Sequence, residues 1–305
     1  MARSWWRLEM DAPAELEESL LWKLGALGVQ RVAIRHGPGT PRFHRLVAWL
    51  PAADWPLIER QRLEAALEPL GEPFGLPLPP QEWHEQGEED WSSSWKQHWQ
   101  ADPVGQRLLI LPAWLELPAE FSSREVILLD PGSAFGTGSH PTTRLCLEAI
   151  EAIDPVGWRV ADLGCGSGIL SLGALRLGAA FAAATDTDPL AVRATGENGR
   201  LNGLAVGPGE TLQVDLGSVE ALAGLLDGQP AELLFCNILA PVIETLAPQF
   251  HTVLSSSGVG LLSGLLLDQV PGLVRALAAA GWGTRLIGEQ GGWGLLEIRR
   301  GAAVA

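Results

Sequence analysis

The stretch Val160–Gly168, VADLGCGSG, decides the fold of this chain. An apolar run from Trp158 to Leu163 leads into three alternating glycines, and Ile169–Leu177 then has the apolar spacing of a helix. This order is typical of a strand, a tight turn and a helix. Glycine has no Cβ, so a ligand can approach the backbone of such a turn, and the helix start offers free N–H groups. The stretch predicts a cofactor site, although a turn needed only for close packing would use the same glycines.

Two details of the turn distinguish between cofactor classes. Its glycines are spaced G-x-G-x-G, and Ile169 stands where a dinucleotide fingerprint has Gly or Ala. Asp162, just before the turn, would repel a pyrophosphate but would hold the amine of S-adenosyl-L-methionine. The turn therefore favours S-adenosyl-L-methionine over a nicotinamide dinucleotide, with Asp162, Gly164 and Gly166 as candidate cofactor-binding residues.

The next predicted strand, Phe181–Thr185, ends in a second candidate site residue. Asp186 lies about 20 residues beyond the glycine turn, where an acid at a strand end can accept both ribose hydroxyls. Asp186 alone would be explained equally well as a surface turn residue, but its place after the glycine turn favours the ligand role. Asp188, followed by Pro189, is predicted to cap the next helix.

Size and cysteine usage bound the class of protein. A chain of 305 residues has room for two domains. No apolar stretch reaches the ~18 residues needed to span a bilayer, and MARSWWRLEM has no signal-peptide core. Three cysteines without metal-ligand spacing indicate a reduced environment, so we expect a cytoplasmic protein with no metal and no membrane association.

The chain is strongly acidic, with a formal net charge of −15. Binding of a nucleic-acid duplex relies on clustered Lys and Arg, so we expect no direct nucleic-acid binding. An acidic surface attracts basic partners, including lysine-rich proteins. The same acidity is equally well explained as a means of staying soluble.

The chain is predicted to begin with a small separate domain over residues 1–83. Its elements follow the order β-α-β-β-α-β of a ferredoxin-like sandwich and show no catalytic residue types, which favours a substrate-recognition role. The predicted elements are Ser4–Met10, Pro13–Leu27, Val29–His36, Arg42–Leu50, Ala53–Leu70 and the extended Gly71–Trp83.

A linker helix is predicted over residues 84–105, ahead of a catalytic domain over 106–305. Trp91, Trp95 and Trp99 lie four residues apart and form one aromatic stripe, which is more often a packing face than a ligand platform.

A loop rich in glycine and hydroxyl groups, Asp130–Thr143, follows two apolar runs that are predicted as strands, Arg107–Leu111 and Val126–Leu129. It opens a helix that runs to about Ile153 and lacks the Gly-Lys-Ser/Thr of a phosphate loop. Thr143 is a candidate for binding the methionine part of the cofactor, and Phe135 for forming a wall beside its methyl group. His140 invites a general-base interpretation, but a loop-organising role is favoured because no acidic partner is evident.

The last candidate is Asn237, which follows the apolar strand Ala231–Cys236. This position is the carboxyl end of the fourth strand, beside the cofactor crevice. An Asn carbonyl there can accept an N–H of an attacking amine, and we expect Asn237 to act in catalysis as well as in cofactor binding. A plain helix-capping role is the alternative. Two final strands joined across Gly291-Gly292 complete a predicted seven-stranded sheet with one antiparallel strand.

Taken together, these motifs resemble the bacterial methyltransferases of ribosomal protein L11, the PrmA family. The resemblance rests on four segments, on the 84–105 linker and on the order of elements in the first domain. The four segments are Asp130–Thr143, Asp162–Gly168, Asp186-Thr187-Asp188-Pro189 and Asn237-Ile238-Leu239-Ala240.

The resemblance implies trimethylation of lysine side chains and of the N-terminal amine of ribosomal protein L11. Cofactor contacts carried over by position fall on Thr143, Gly164, Asp186 and Asn237. The chain departs from the family pattern at Ser139, often Thr, and at Cys236, usually a small residue such as Ala. The implied architecture is a seven-stranded, doubly wound, Rossmann-like methyltransferase domain after a ferredoxin-like domain, and we expect a monomer.

Two other functions remain open at this stage. A methyltransferase acting on another protein, a small molecule or a nucleic acid would share the cofactor motifs, although the separate first domain and the acidity argue against the last two. A nicotinamide-dependent oxidoreductase is disfavoured by Ile169 and Asp162.

Overall fold

The computed structural model describes residues 4–13, 15–29, 31–35, 43–86, 99–130, 138 and 140–301. The chain divides into two compact units, Met1–Gln100 and Ala101–Ala305. The division into a recognition domain, a linker and a catalytic domain stays a prediction, and residues 87–98 of that linker, with Trp91 and Trp95, lie outside the described residues. At its described ends the predicted linker helix is wrong, because residues 84–86 and 102–104 pair with neighbouring strands and are themselves β-strand.

The first unit is a four-stranded antiparallel sheet in the order β2-β3-β1-β4. Alternate residues of β1, including Leu8, Met10 and Ala12, are buried in the core that the sheet shares with the helices. This strand order is the ferredoxin-like order predicted from the sequence. The elements are β1 (Trp5–Pro13), α1 (Glu17–Ala26), β2 (Val32–Arg35), β3 (Phe43–Pro51), α2 (Leu57–Leu67) and β4 (Glu82–Gln86).

Both helices of the first unit are shorter than the apolar spacing predicts. Strand β1 continues to Pro13, which pairs with Phe43, so α1 begins only at Glu17. Helix α2 is followed directly by a 3-10 helix, Glu68–Phe74. The prolines of this second segment interrupt the α-helical hydrogen bonds, so α2 ends before it.

The second unit contains the predicted seven-stranded sheet, in the order β10-β9-β8-β11-β12-β14-β13. The pairs from β10 to β12 are parallel, and β14 runs antiparallel to both of its neighbours. The predicted fold class is therefore confirmed. The strands are β8 (Arg159–Leu163), β9 (Phe181–Asp186), β10 (Leu212–Leu216), β11 (Ala231–Asn237), β12 (Leu254–Leu266), β13 (Trp282–Gln290) and β14 (Trp293–Arg300).

Helices cover both faces of this sheet, which is why its central strands are apolar throughout. Neighbouring residues of β8 show the arrangement, since Val160 packs into one core and Ala161 into the other. Within the described residues, no helix combines the length and apolar character that crossing a bilayer requires. The helices are α3 (Pro141–Ile153), α4 (Ile169–Arg176), α5 (Pro189–Leu201), α6 (Val219–Leu226), α7 (Ala240–Leu246) and α8 (Val270–Ala279).

A separate three-stranded sheet supports helix α3. It consists of β5 (Asp102–Val104), β6 (Leu108–Pro112) and β7 (Glu125–Leu129), and the last two are the apolar runs predicted as strands. The Arg144 guanidinium on α3 binds both carboxylate oxygens of Asp102 at 2.9 and 2.7 Å. Both contacts come from Nη1, and Nη2 donates a 2.9 Å hydrogen bond to the Pro103 carbonyl oxygen, so Arg144 ties the first turns of α3 to β5.

Candidate active site

The glycine turn after β8 has the backbone conformation that its sequence predicts. Gly164, Gly166 and Gly168 all have positive φ, at 78°, 56° and 81°, which other residues adopt only at a cost. The amides of Gly164 and Cys165 both donate to the carbonyl oxygen of Thr185, at 2.8 and 3.0 Å. The turn is therefore fastened to the end of the neighbouring strand β9.

The turn also lies against the segment that follows β11. A Cβ on Gly164 would collide with Cγ2 of Ile238, the residue after Asn237. On the other side, Gly264 has φ of 79°, and a Cβ there would lie 2.9 Å from the Ile238 nitrogen. Two glycines thus hold Ile238 between them, and they bring Asn237 next to the glycine turn.

Asp186 joins this arrangement from the end of β9. Its Oδ2 accepts a 3.0 Å hydrogen bond from the Gly166 amide, and its Oδ1 accepts one of 3.0 Å from the Asp188 amide. Burial raises the pKa of the Asp186 carboxyl above its ordinary value. The predicted capping role of Asp188 is confirmed, because its Oδ1 accepts a 2.8 Å bond from the Leu190 amide at the start of α5.

Asp162 is buried one residue before the end of β8. Its Oδ2 accepts hydrogen bonds from the Ser171 amide at 3.2 Å and from the Ser171 hydroxyl at 2.7 Å. Burial raises the pKa of Asp162 to about 6, although the bonds from Ser171 work in the opposite direction. The carboxylate therefore secures helix α4 to the strand, and its predicted contact with the cofactor amine stays a prediction.

Asn237 is the last residue of β11 and pairs with Ser263 of β12. It is only partly buried, at the carboxyl edge of the sheet. The helix that follows is α7, and its N-cap is Leu239. The simple capping role that was the alternative for Asn237 is therefore not what the structure shows.

Helix α3 brings two further candidates to the same edge. His140 is its N-cap, and Nδ1 of His140 accepts a 3.3 Å hydrogen bond from the Thr142 amide. This contact agrees with the loop-organising role predicted for His140. Thr143 is buried in the first turn. Phe135 lies outside the described residues.

The position where the loop rejoins the described chain lies close to the glycine turn. Gly138 has φ of 89°, and a Cβ there would lie 2.8 Å from Cδ1 of Ile169, the first residue of α4. The glycine turn and the end of the glycine-rich loop are therefore neighbours, although the sequence separates them by about thirty residues.

Sequence reasoning missed two buried polar residues on α5. Nδ2 of Asn198 donates a 2.9 Å hydrogen bond to the Ser167 carbonyl oxygen, and Oδ1 of Asn198 accepts one of 3.1 Å from the Asp130 amide. Asn198 therefore joins the glycine turn to the start of the loop. The Thr195 hydroxyl donates 3.0 Å to the Gly166 carbonyl oxygen. A usable signal was the pair Asn198 and Asn202, four residues apart on one helix face, because Asn is a poor helix former unless its side chain is bonded.

The order of the large sheet, its antiparallel seventh strand and the glycine turn beside Asp186 define a Rossmann-like, S-adenosyl-L-methionine-dependent methyltransferase domain. A match over nearly the whole chain identifies a narrower family within this class. Residues 4–301 match the family described as ribosomal protein L11 methyltransferase (PrmA), and the chain belongs to that family.

Relatives and a solved structure agree with this assignment. The chain is 62% identical over 291 residues to the ribosomal protein L11 methyltransferase of Parasynechococcus marenigrum (strain WH8102), covering 95% of this chain and 100% of the relative. It is 59% identical over 297 residues to that of Synechococcus sp. (strain RCC307), covering 97% of each. The crystal structure of a ribosomal protein L11 methylase from Lactobacillus delbrueckii subsp. bulgaricus is 33% identical with a TM-score of 0.59, covering 66% of this chain and 99% of that one.

Proposed function

We propose that this protein transfers methyl groups from S-adenosyl-L-methionine to ribosomal protein L11, at lysine side chains and at the N-terminal amine. The observation that carries this proposal is the contact of Gly164 with Ile238, which sets Asn237 beside the glycine turn in a chain matching the L11 methyltransferase family over residues 4–301. A methyltransferase for another protein or for a small molecule is the second candidate, because the cofactor motifs alone do not specify the acceptor.

The residues at the carboxyl edge suit this cofactor chemically. Carboxylate oxygens have several lone pairs each, so Asp186 retains acceptor capacity for ribose hydroxyls beyond its two amide partners. Acidic residues also suit a positively charged ligand. The proposed cofactor-binding set is Phe135, Thr143, Asp162, Gly164, Gly166, Asp186 and Asn237.

Bound S-adenosyl-L-methionine supplies a methyl group on a sulfonium leaving group. The protein then has to orient the acceptor amine in line with that group and to exclude water. Oδ1 of Asn237 accepts one N–H of the amine and directs its lone pair. Burial of a target lysine lowers its pKa, so that water takes its proton and no protein base is indispensable.

The first unit is proposed to hold the acceptor protein. It has its own core and a complete four-stranded sheet, and none of the proposed cofactor residues belongs to it. A basic ribosomal protein also complements a chain with a formal net charge of −15.

The proposal is tested by incubating the protein with labelled S-adenosyl-L-methionine and purified ribosomal protein L11. We expect label in L11 and trimethylated sites by mass spectrometry. Asn237→Ala should abolish the transfer while leaving the fold intact, as judged by circular dichroism. In a ribosomal extract, entry of label into RNA, or into a different protein instead of L11, would contradict the proposed acceptor.

A further inference from the structure

The indole N–H of Trp293 is a buried hydrogen-bond donor. Trp293 is 4% exposed at the start of β14, and among the described residues its Nε1 has no hydrogen-bond partner. A buried donor that is left unsatisfied is costly, so such groups in native proteins call for an explanation, often a ligand.

The position of Trp293 links it to the proposed site. Because β14 runs antiparallel, its first residue lies at the carboxyl edge of the sheet, opposite Leu266 at the end of β12. Asn237 pairs with Ser263, and the Ser263 hydroxyl donates 2.9 Å to the carbonyl oxygen of Gly294, the residue after Trp293. Trp293 is therefore two strands from Asn237, about 10 Å across the sheet, and it is also displaced along the strands, because its partner Leu266 lies three residues beyond Ser263.

Trp293 also contacts the start of helix α3. Its ring meets the ring of His140 edge-on, with centroids 4.9 Å apart. The tip of the β13–β14 hairpin thus packs against the helix that carries Thr143.

The strand order places Trp293 on the acceptor side of the crevice. The proposed cofactor residues on the sheet lie at β8, β9 and β11, whereas β12 and β14 continue beyond Asn237 in the other direction. A cofactor that spans β9 to β11 leaves the edge of β12 and β14 to the acceptor protein.

We propose that Trp293 is a substrate-binding residue, whose indole N–H donates to a backbone carbonyl oxygen of the acceptor protein beside the methylated amine. This inference rests on the proposed function. An indole N–H can only donate, and an amine awaiting methylation at Asn237 offers its own N–H groups there, so the partner of Trp293 has to be an oxygen. The long lysine stem suits a second contact at this distance from Asn237.

The chain offers a matched control in Trp282, which is also 4% exposed. The Nε1 of Trp282 donates a 2.9 Å hydrogen bond to the carbonyl oxygen of Ala247. Trp293→Phe removes a donor that has no partner in the described part of the chain, whereas Trp282→Phe removes one that is satisfied. Both variants keep a buried aromatic ring.

The test measures thermal stability, the Kd of S-adenosyl-L-methionine and the KM for purified ribosomal protein L11 in wild type and both variants. Trp293→Phe should raise the KM for L11 about tenfold, which is the usual effect of one lost hydrogen bond. The same variant should leave the Kd of S-adenosyl-L-methionine unchanged and should keep or raise the Tm. Trp282→Phe should lower the Tm and leave the KM unchanged.

Three results with the Trp293→Phe variant would overturn the proposal. An unchanged KM for L11 in Trp293→Phe would show that the acceptor protein does not use this donor. A weaker cofactor Kd would assign the N–H to the cofactor instead. A lowered Tm with unchanged KM would show an internal acceptor. A wild-type protein that transfers no methyl group to L11 would reject the proposed function itself, and this inference with it.

Discussion

The amide of Gly166 donates a 3.0 Å hydrogen bond to Oδ2 of Asp186. This bond joins the glycine turn after β8 to the end of β9, the two places where a nucleoside-containing ligand contacts a Rossmann-like domain. Asp186 is thus at once a structural partner of the turn and the proposed ribose acceptor.

Replacement of Asp186 should weaken cofactor binding strongly. Asp186→Ala removes the charged acceptor for both ribose hydroxyls and for the Gly166 amide, so we expect the Kd of S-adenosyl-L-methionine to rise about 100-fold. Asp186→Asn keeps one acceptor oxygen and should have a smaller effect. Isothermal titration calorimetry measures both, and an unchanged Kd in Asp186→Ala would exclude the ribose role.

Asp162 should make the stability of the ligand-free protein depend on pH. Its pKa in the folded protein is raised to about 6, above the value of about 4 for an exposed aspartate. Between these values the folded state binds a proton that the unfolded state has lost, so this contribution to stability is greatest below pH 4 and falls as pH rises through 6. The difference between the folded and unfolded pKa values of Asp162 corresponds to about 3 kcal/mol.

Urea unfolding of wild type and Asp162→Asn at pH 5 and pH 8 checks this prediction. The variant cannot ionise, so its free energy of unfolding should improve relative to wild type as the pH rises. A difference between the two proteins that is the same at both pH values would show that Asp162 does not titrate in this range.

Asn198 should affect cofactor binding although it is not proposed to touch the cofactor. Asn198→Ala removes the bonds to Ser167 and Asp130 that join the turn and the loop, so the Kd of S-adenosyl-L-methionine should rise about tenfold.

Asn202, the C-cap of α5, is the control, because its side-chain amide bonds the backbone of Leu128 and of Asn198 and the Arg176 guanidinium, and not the glycine turn. Asn202→Ala should lower the free energy of unfolding by about 1–3 kcal/mol, as Asn198→Ala should, because each variant loses buried hydrogen bonds. Unlike Asn198→Ala, it should leave the Kd of S-adenosyl-L-methionine unchanged. Equal increases of Kd in the two variants would mean that general loosening of α5 is responsible.

His140 should be dispensable for the chemical step. Its Nδ1 accepts the Thr142 amide at the start of α3, so His140→Ala should cost about 1 kcal/mol of stability through the lost cap. We expect measurable turnover, because a loss of about 10²–10⁴-fold is the mark of a general base. Initial rates at saturating cofactor measure this, and total loss of activity with intact folding and cofactor binding would assign proton transfer to His140.

Much of the site was predictable because its residues follow strands directly. Parallel strands end at one edge, so Gly164, Asp186 and Asn237 had to lie there once β8, β9 and β11 were recognised as neighbours. The capping role of Asp188 was predictable because the cap and its proline are adjacent in the chain. The ends of α1 and α2 were harder, because proline positions and strand pairing override apolar periodicity there.

The amino-acid sequence by itself determined the fold class, the glycine turn and the acids beside it, since these depend on local patterns and backbone conformation. Only the tertiary structure decided that Ile238 lies between Gly164 and Gly264, that Asp162 is bound by Ser171, and that Trp293 lies buried against His140. Each of these contacts joins segments that are distant in the chain or on different elements. Their geometry follows from how the elements pack, and no spacing within one segment encodes it.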